Sequence, residues 1–250
     1  MLFVVAAIWG SGFIASQMAL KAQVTPALLM MVRFTIATAV IGIVFFKRLK
    51  SHLHKQDLTG GFVIGLFLFL AFFIQIVGLQ YTTPANNAFL TATNVVMVPF
   101  IWWMISKQKP PKRIFAASVL CLVGIGLLSI NATQGIHFSL GDILTLVCAL
   151  AFACQIVATD YYSGKIDTVV IVFLQFLVAA LFSSIVFLIT DRNMTPLWTK
   201  DGFLSVMYLA LFSTCLCYFL QTTAQKYVPA SKAAIILATV HTQVPPHFLY

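Results

Sequence analysis

Apolar residues along this chain come in long blocks and do not alternate with polar ones. From Leu58 to Ser106, 49 consecutive residues include no Asp, Glu, Lys or Arg. A helix needs about 20 apolar residues to cross a bilayer core, so this block predicts two spans and a tight turn. The turn is Tyr81-Thr82-Thr83-Pro84-Ala85-Asn86-Asn87. Pro84 suits a first helical turn, where its missing N–H is not needed, and Thr83 can cap that turn. The same reading predicts helices near residues 1–20, 27–46, 59–80, 84–106, 114–131, 142–159, 168–189, 203–223 and 229–240. Thr25-Pro26, Asp57-Leu58-Thr59, Asp167-Thr168 and Val228-Pro229 are start signals. Ser139 and Asp142 have capping-box spacing, which reads Asp142 as a cap and not as an intramembrane carboxylate.

Composition moves the picture further toward lipid. Hydrophobic residues make up 61%, charged residues 8%, and mean hydropathy is +0.99, where a globular domain carries about 25% charge. The net charge of +9 could suggest nucleic acid, but the basic residues sit in short loops between apolar runs, a pattern that orients a membrane protein. The run Met1–Leu20 is too long for a signal-peptide core and lacks a basic leader, so it reads as a first span. All five cysteines (Cys121, Cys148, Cys154, Cys215 and Cys217) lie inside apolar runs and read as small buried hydrophobes. His52 and His54 are too isolated for a metal site.

Loop charges give an orientation. With the loop after the second span in the cytoplasm, eleven Lys and Arg fall inside and only Lys21, Arg192 and Lys200 fall outside. The amino terminus is then cytoplasmic, and Trp198 is an interface anchor on the outer side. The sequons at Asn131 and Asn193 also fall outside. The chain echoes itself as well. Tyr81-Thr82-Thr83-Pro84-Ala85 returns as Tyr227-Val228-Pro229-Ala230, Ala92-Thr93 as Ala238-Thr239, and Val32-Arg33-Phe34 aligns with Leu174-Gln175-Phe176. The offset makes one unit of five helices. Five is odd, so the second copy enters the membrane upside down, an arrangement that suits secondary transporters.

These residues resemble a known family. Trp9-Gly10-Ser11-Gly12-Phe13, Val32-Arg33-Phe34, the 78–88 turn followed by Pro99, and Gln225-Lys226-Tyr227-Val228-Pro229-Ala230-Ser231-Lys232 are similar, in order and spacing, to the EamA-type transporters of the drug/metabolite transporter superfamily. The resemblance covers roughly residues 1–239. It implies an all-α integral membrane fold of ten helices in two inverted five-helix repeats, about nine of which are present here, with a central cavity for small metabolites or drugs. The expected organisation is a first repeat over 1–131, a second over 139–240, and an atypical tail over 241–250. Two departures stand out. Lys107-Gln108-Lys109 replaces a Gly-Glu pair, and the stretch from Val240, with Pro245-Pro246, does not follow the family's pattern. The tail predicts an irregular end, as in a truncated or frameshifted copy that would not transport or would need a partner to complete it.

Candidate site residues follow from polar groups inside apolar runs. Arg33 is the one Lys or Arg well inside a span. It reads either as a contact for an anionic substrate or as a snorkelling side chain bonded to carbonyls. Asn87, Thr91 and Asn94 fall at i, i+4 and i+7 on one helical face, and that face should turn away from lipid. It either lines a cavity or bonds a neighbouring helix. Gln75, Gln155, Tyr208 and Tyr218 are candidates of the same type. Trp9 and Phe13, four apart, either stack on a ligand or pack together. Gly61 and Gly65 form a GxxxG that reads as helix packing.

All six acidic residues are Asp, and none lies mid-span. There is no Walker A sequence, nucleophile elbow or pair of carboxylates, so no enzymatic chemistry is visible and no cofactor is implied. The sequence therefore predicts a carrier in the cell (inner) membrane whose partners are the bilayer and a small solute, not nucleic acid.

Overall fold

The computed structural model describes residues 1–107, 109, 111–129, 139–191 and 199–238. The sequons at Asn131 and Asn193, the Trp198 anchor and the tail from Val240 lie outside the described residues. The described elements are helical. In chain order they are α1 (Leu2–Lys21), α2 (Pro26–Val44), α3 (Phe46–His52), α4 (Asp57–Leu79), α5 (Pro84–Ala92), α6 (Asn94–Ser106), α7 (Lys112–Ser129), α8 (Leu140–Ser163), α9 (Thr168–Thr190), α10 (Lys200–Tyr208), α11 (Cys217–Gln225) and α12 (Ala230–Ala238). A π-helical stretch, Leu209–Leu216, joins α10 to α11 in one rod. Helices α5 and α6 also form one rod, interrupted at Thr93, with Pro99 inside α6. Among the described residues, seven rods are long and apolar enough to cross a bilayer. The chain is an all-α, multi-pass membrane protein.

Side chains cap the helices at the positions where the sequence carries cap residues. Thr25 Oγ1 accepts from the Leu28 N–H and Thr83 Oγ1 from the Asn86 N–H, each with a proline in the first turn. Ser139 and Asp142 form a reciprocal capping box, and Asp142 also accepts from the Thr82 hydroxyl at 2.6 Å. In lipid these bonds matter more than in water, because an unpaired N–H at a helix start has nothing else to bond.

Contacts between rods reveal their directions. Helix α4 runs antiparallel to α8, with Gly60 against Tyr162 and Gly78 against Gly141. It runs parallel to α9, with Gly61 against Leu174 and Gly65 against Val178. The α10–α11 rod repeats this relation with α1 and α2. It runs antiparallel to α1, since Gly202 abuts Ala22 and Cys217 reaches Val5. It runs parallel to α2, since Thr214 meets Arg33 and Phe219 stacks on Phe45. Helices α2 and α9 cross antiparallel, with Thr25 at Asp191 and Gly42 at Phe173. Exchanging α1, α2 and α4 for α8, α9 and the α10–α11 rod therefore leaves the packing pattern unchanged and reverses every direction. The glycines on α4 make the central contact possible. A Cβ on Gly61 would stand 2.4 Å from Leu174 Cβ, and one on Gly65 2.9 Å from the Gln175 carbonyl oxygen.

The ends of α2 and α9 are tied to each other twice. At one end the Thr25 hydroxyl donates to Asp191. At the other, Arg48 on α3 donates to Asp167, the α9 cap, at 2.8 Å. Partial burial pulls the Asp167 carboxyl upward, but the bonds from Arg48 and the Val169 N–H outweigh it and hold the group below its ordinary value.

Candidate functional site

The site forms between α1, α2, α4, α8 and the α10–α11 rod, with α5, α6 and α12 completing its wall. Arg33, in the middle of α2, has only 1% of its surface exposed. Its Nε donates to Thr214 Oγ1 and its Nη2 to Ser213 Oγ at 3.3 Å. Both hydroxyls lie in the π-helical stretch. A π turn takes up an extra residue, and here the turn points the adjacent Ser213 and Thr214 side chains at one guanidinium. The Phe72 ring covers the guanidinium face at 4.1 Å from Cζ. Tyr218 packs edge-on against Phe72 at 5.9 Å and tilted against Trp9 at 5.2 Å. The Trp9 indole N–H donates to the Ser213 carbonyl at 2.9 Å. Arg33 is thus a buried cation with hydroxyl partners, not a side chain snorkelling to carbonyls.

Arg33, Ser213, Phe72, Tyr218 and Trp9 line a cavity of about 60 Å³. Of the candidates read from the sequence, Trp9, Phe13, Arg33, Gln75, Asn87, Thr91, Asn94 and Gln155 all line it. Tyr208 lies outside the lining. Its hydroxyl shares a 2.5 Å hydrogen bond with Ser11, and its ring stacks on Phe212. The sequence reading took Tyr208 as a polar group inside the 203–223 span, but its hydroxyl is used in the contact between α10 and α1. Ser213, Gln221, Phe72 and Phe152 also line the cavity and were not singled out. Gln221 carried a usable signal, because it stands at the same offset from Gln75 as Tyr227 does from Tyr81. The two hydroxyl partners of Arg33 carried none.

The polar face of α5 bonds across the bundle. Asn87 Nδ2 donates to Thr145 Oγ1 at 2.8 Å and to the Gln75 carbonyl at 3.3 Å. Gln75 Nε2 donates to Thr91 Oγ1 at 3.1 Å. The two readings of this face, cavity lining and interhelical bonding, therefore hold together for Asn87 and Thr91. On the other wall Gln155 donates to Thr159 at 3.1 Å and to Gln175 at 3.3 Å.

Among the described residues, the lining contains one cation and no carboxylate. The chain has no Glu, and its six Asp residues stand at or beside helix ends: Asp57, Asp142, Asp160, Asp167, Asp191 and Asp201. Two of the five N–H donors of Arg33 are taken by hydroxyls, and no ion pair forms with it among the described residues. Among those residues there is also no group of three His, Cys, Asp or Glu that could hold a metal.

The site is thus a mostly apolar cavity with a few polar groups, set between the rods of a multi-pass helical membrane protein. The chain belongs to the EamA-like transporter family, whose sequence profile matches residues 1–130 and 139–241. It is 35% identical over 241 residues to an uncharacterized transporter of Archaeoglobus fulgidus, covering 95% of this chain and 72% of that protein. It is 26% identical over 227 residues to the uncharacterized transporter YetK of Bacillus subtilis, covering 83% of this chain and 66% of YetK. A solved crystal structure, 17% identical, has the same fold, with a TM-score of 0.77 over 96% of this chain and 83% of the other.

Proposed function

We propose that the protein is a secondary carrier that moves small organic anions by alternating access, and that Arg33 holds the anionic group. The observation that carries this reading is the buried, unpaired charge. Burying a cation without a counter-charge is costly, and an intramembrane charge of this kind defaults to a functional role. Thr214 and Ser213 satisfy part of its hydrogen bonding but none of its charge. A carboxylate on the remaining N–H groups would satisfy both.

The two family-matched stretches, 1–130 and 139–241, are the proposed repeats, and the direction-reversing exchange of rods supports an inverted relation. Rocking one set against the other would expose the cavity to each side in turn. Room for a few waters falls well short of a ligand pocket of roughly 300 Å³ or more, so the lining must part to admit a solute. The loop charges support a cytoplasmic amino terminus in the cell membrane, with the Arg48–Asp167 pair on the inner side. A family of transporters and a lining without paired carboxylates favour binding over bond chemistry.

The test is flux into liposomes reconstituted with the intact chain, using labelled pyruvate, choline and erythritol as anionic, cationic and neutral probes. Protein-dependent flux of pyruvate above both others is expected. Flux of choline without pyruvate would contradict the proposal.

A further inference from the structure

Three amide oxygens on the cavity wall, Asn87 Oδ1, Gln155 Oε1 and Gln221 Oε1, are buried and have no hydrogen-bond donor among the described residues. Asn87 and Gln221 are fully buried, and each of these two amides is locked by its own nitrogen, whereas Gln155 bonds Thr159 and Gln175, whose hydroxyl and amide can turn with it. Asn87 Nδ2 faces the Gln75 carbonyl and Thr145 Oγ1, while the Thr145 hydroxyl spends its hydrogen on the Gly141 carbonyl at 2.6 Å. Gln225 Nε2 donates to the Ile156 carbonyl at 3.0 Å, so Gln225 Oε1 is left to accept from Gln221 Nε2 at 2.9 Å. Flipping either amide would set oxygen against oxygen. Of the three acceptors, Asn87 Oδ1 and Gln221 Oε1 are therefore fixed in place for a ligand's donors, beside a cation with N–H groups to spare.

Their placement relative to Arg33 follows from the helices. Gln75, whose carbonyl orients Asn87, is one turn beyond Phe72, and Gln221 is one turn beyond Tyr218. A turn rises about 5 Å, and α4 and α11 run in opposite directions. The two oxygens thus flank the level of the Phe72–Tyr218 contact, where the guanidinium sits, one toward each membrane face. The rise of about 5 Å along the helix axis matches the length of a molecule of three or four carbons.

Charge counting narrows the ligand. A monoanion neutralises the one cation of the lining. A zwitterion brings its own ammonium, leaves a net positive charge buried, and offers that ammonium only neutral oxygens. A hydroxyl satisfies an amide acceptor without adding charge. We propose that the cavity selects short hydroxymonocarboxylates, with the carboxylate on Arg33 and a hydroxyl on Gln221 Oε1 or Asn87 Oδ1, over plain carboxylates and over zwitterions of equal size. This rests on the anion reading of Arg33.

A ligand series on the intact chain in lipid nanodiscs tests it, with affinities read by equilibrium dialysis and by ligand-induced thermal shift. The series is propionate, lactate, glycerate, serine and glycerol. Glycerate and lactate are expected to bind roughly tenfold tighter than propionate, the scale of one hydrogen bond to an otherwise unpaired buried group. Serine and glycerol should bind more weakly than propionate. Equal affinities for propionate and glycerate would overturn the hydroxyl assignment and leave the anion reading standing. Serine binding as tightly as glycerate would overturn the charge count. Failure of every carboxylate to bind would remove the anion reading itself, and this inference with it.

Discussion

Arg33 Nη2 donates to Ser213 Oγ at 3.3 Å across 180 residues of sequence. The bond joins the middle of α2 to the π-helical stretch between α10 and α11, and Thr214, the next residue, takes the Arg33 Nε hydrogen. Arg33 from the first half of the chain and two hydroxyls from the second thereby set the cavity's only charge among the described residues.

Thr214→Val replaces the hydroxyl with a methyl of the same shape and leaves the buried Nε–H without a partner. The expected cost is about 1–3 kcal/mol of stability, read as a lower unfolding midpoint in detergent. Ser213→Ala removes the longer bond and should cost less. A Thr214→Val protein as stable as the parent would mean that this contact does not hold the guanidinium.

The Arg48–Asp167 pair has a defined pH signature. Asp167 titrates below its ordinary value in the folded protein. Its contribution is therefore present above the unfolded carboxylate range, about pH 4, and is lost as pH falls through the lower folded value. Asp167→Asn keeps an oxygen to cap the Val169 N–H and removes only the charge. With Arg48 half exposed, the loss at pH 7 should stay under about 1 kcal/mol. Unfolding midpoints of the variant measured from pH 6 down to pH 3 should fall less steeply than those of the parent.

Glycine substitutions separate close packing from mere flexibility. A Cβ on Gly65 would meet the Gln175 backbone and Val178 at 2.9 and 2.7 Å, whereas one on Gly164 would meet nothing within 4 Å. Gly65→Ala should destabilise by about 1–3 kcal/mol through overpacking. Gly164→Ala, at a φ of −83°, should be neutral or slightly stabilising, by up to about 1 kcal/mol. The pair is compared by thermal unfolding of the two purified variants.

Much of the fold was legible because lipid imposes a simple rule on sequence. The uncharged block from Leu58 to Ser106 could only be two spans, and Thr25, Thr83, Ser139 and Asp167 mark helix starts with side chains suited to capping. Arg33 stood out because a charge inside an apolar run is rare, and Asn87, Thr91 and Asn94 because they share a helical face. Ser213 and Thr214 were not legible. Hydroxyls are ordinary in membrane helices, and their convergence on Arg33 depends on a chain crossing 180 residues away. Tyr208 was read only as a polar group inside an apolar run, and nothing in the sequence told that its hydroxyl is taken by Ser11 on α1.

The central claim is that Arg33 holds the anionic group of a transported solute, and the most direct measurement of it is pyruvate flux by Arg33→Gln beside the parent in reconstituted liposomes. Glutamine can still bond Thr214, and removing an uncompensated charge should leave the unloaded protein at least as stable, so a folded variant is expected. The account predicts pyruvate flux at least tenfold below the parent, with Arg33→Lys, which keeps the charge without the fork of donors, falling between them. A folded Arg33→Gln protein that moves pyruvate at the parent's rate would contradict it.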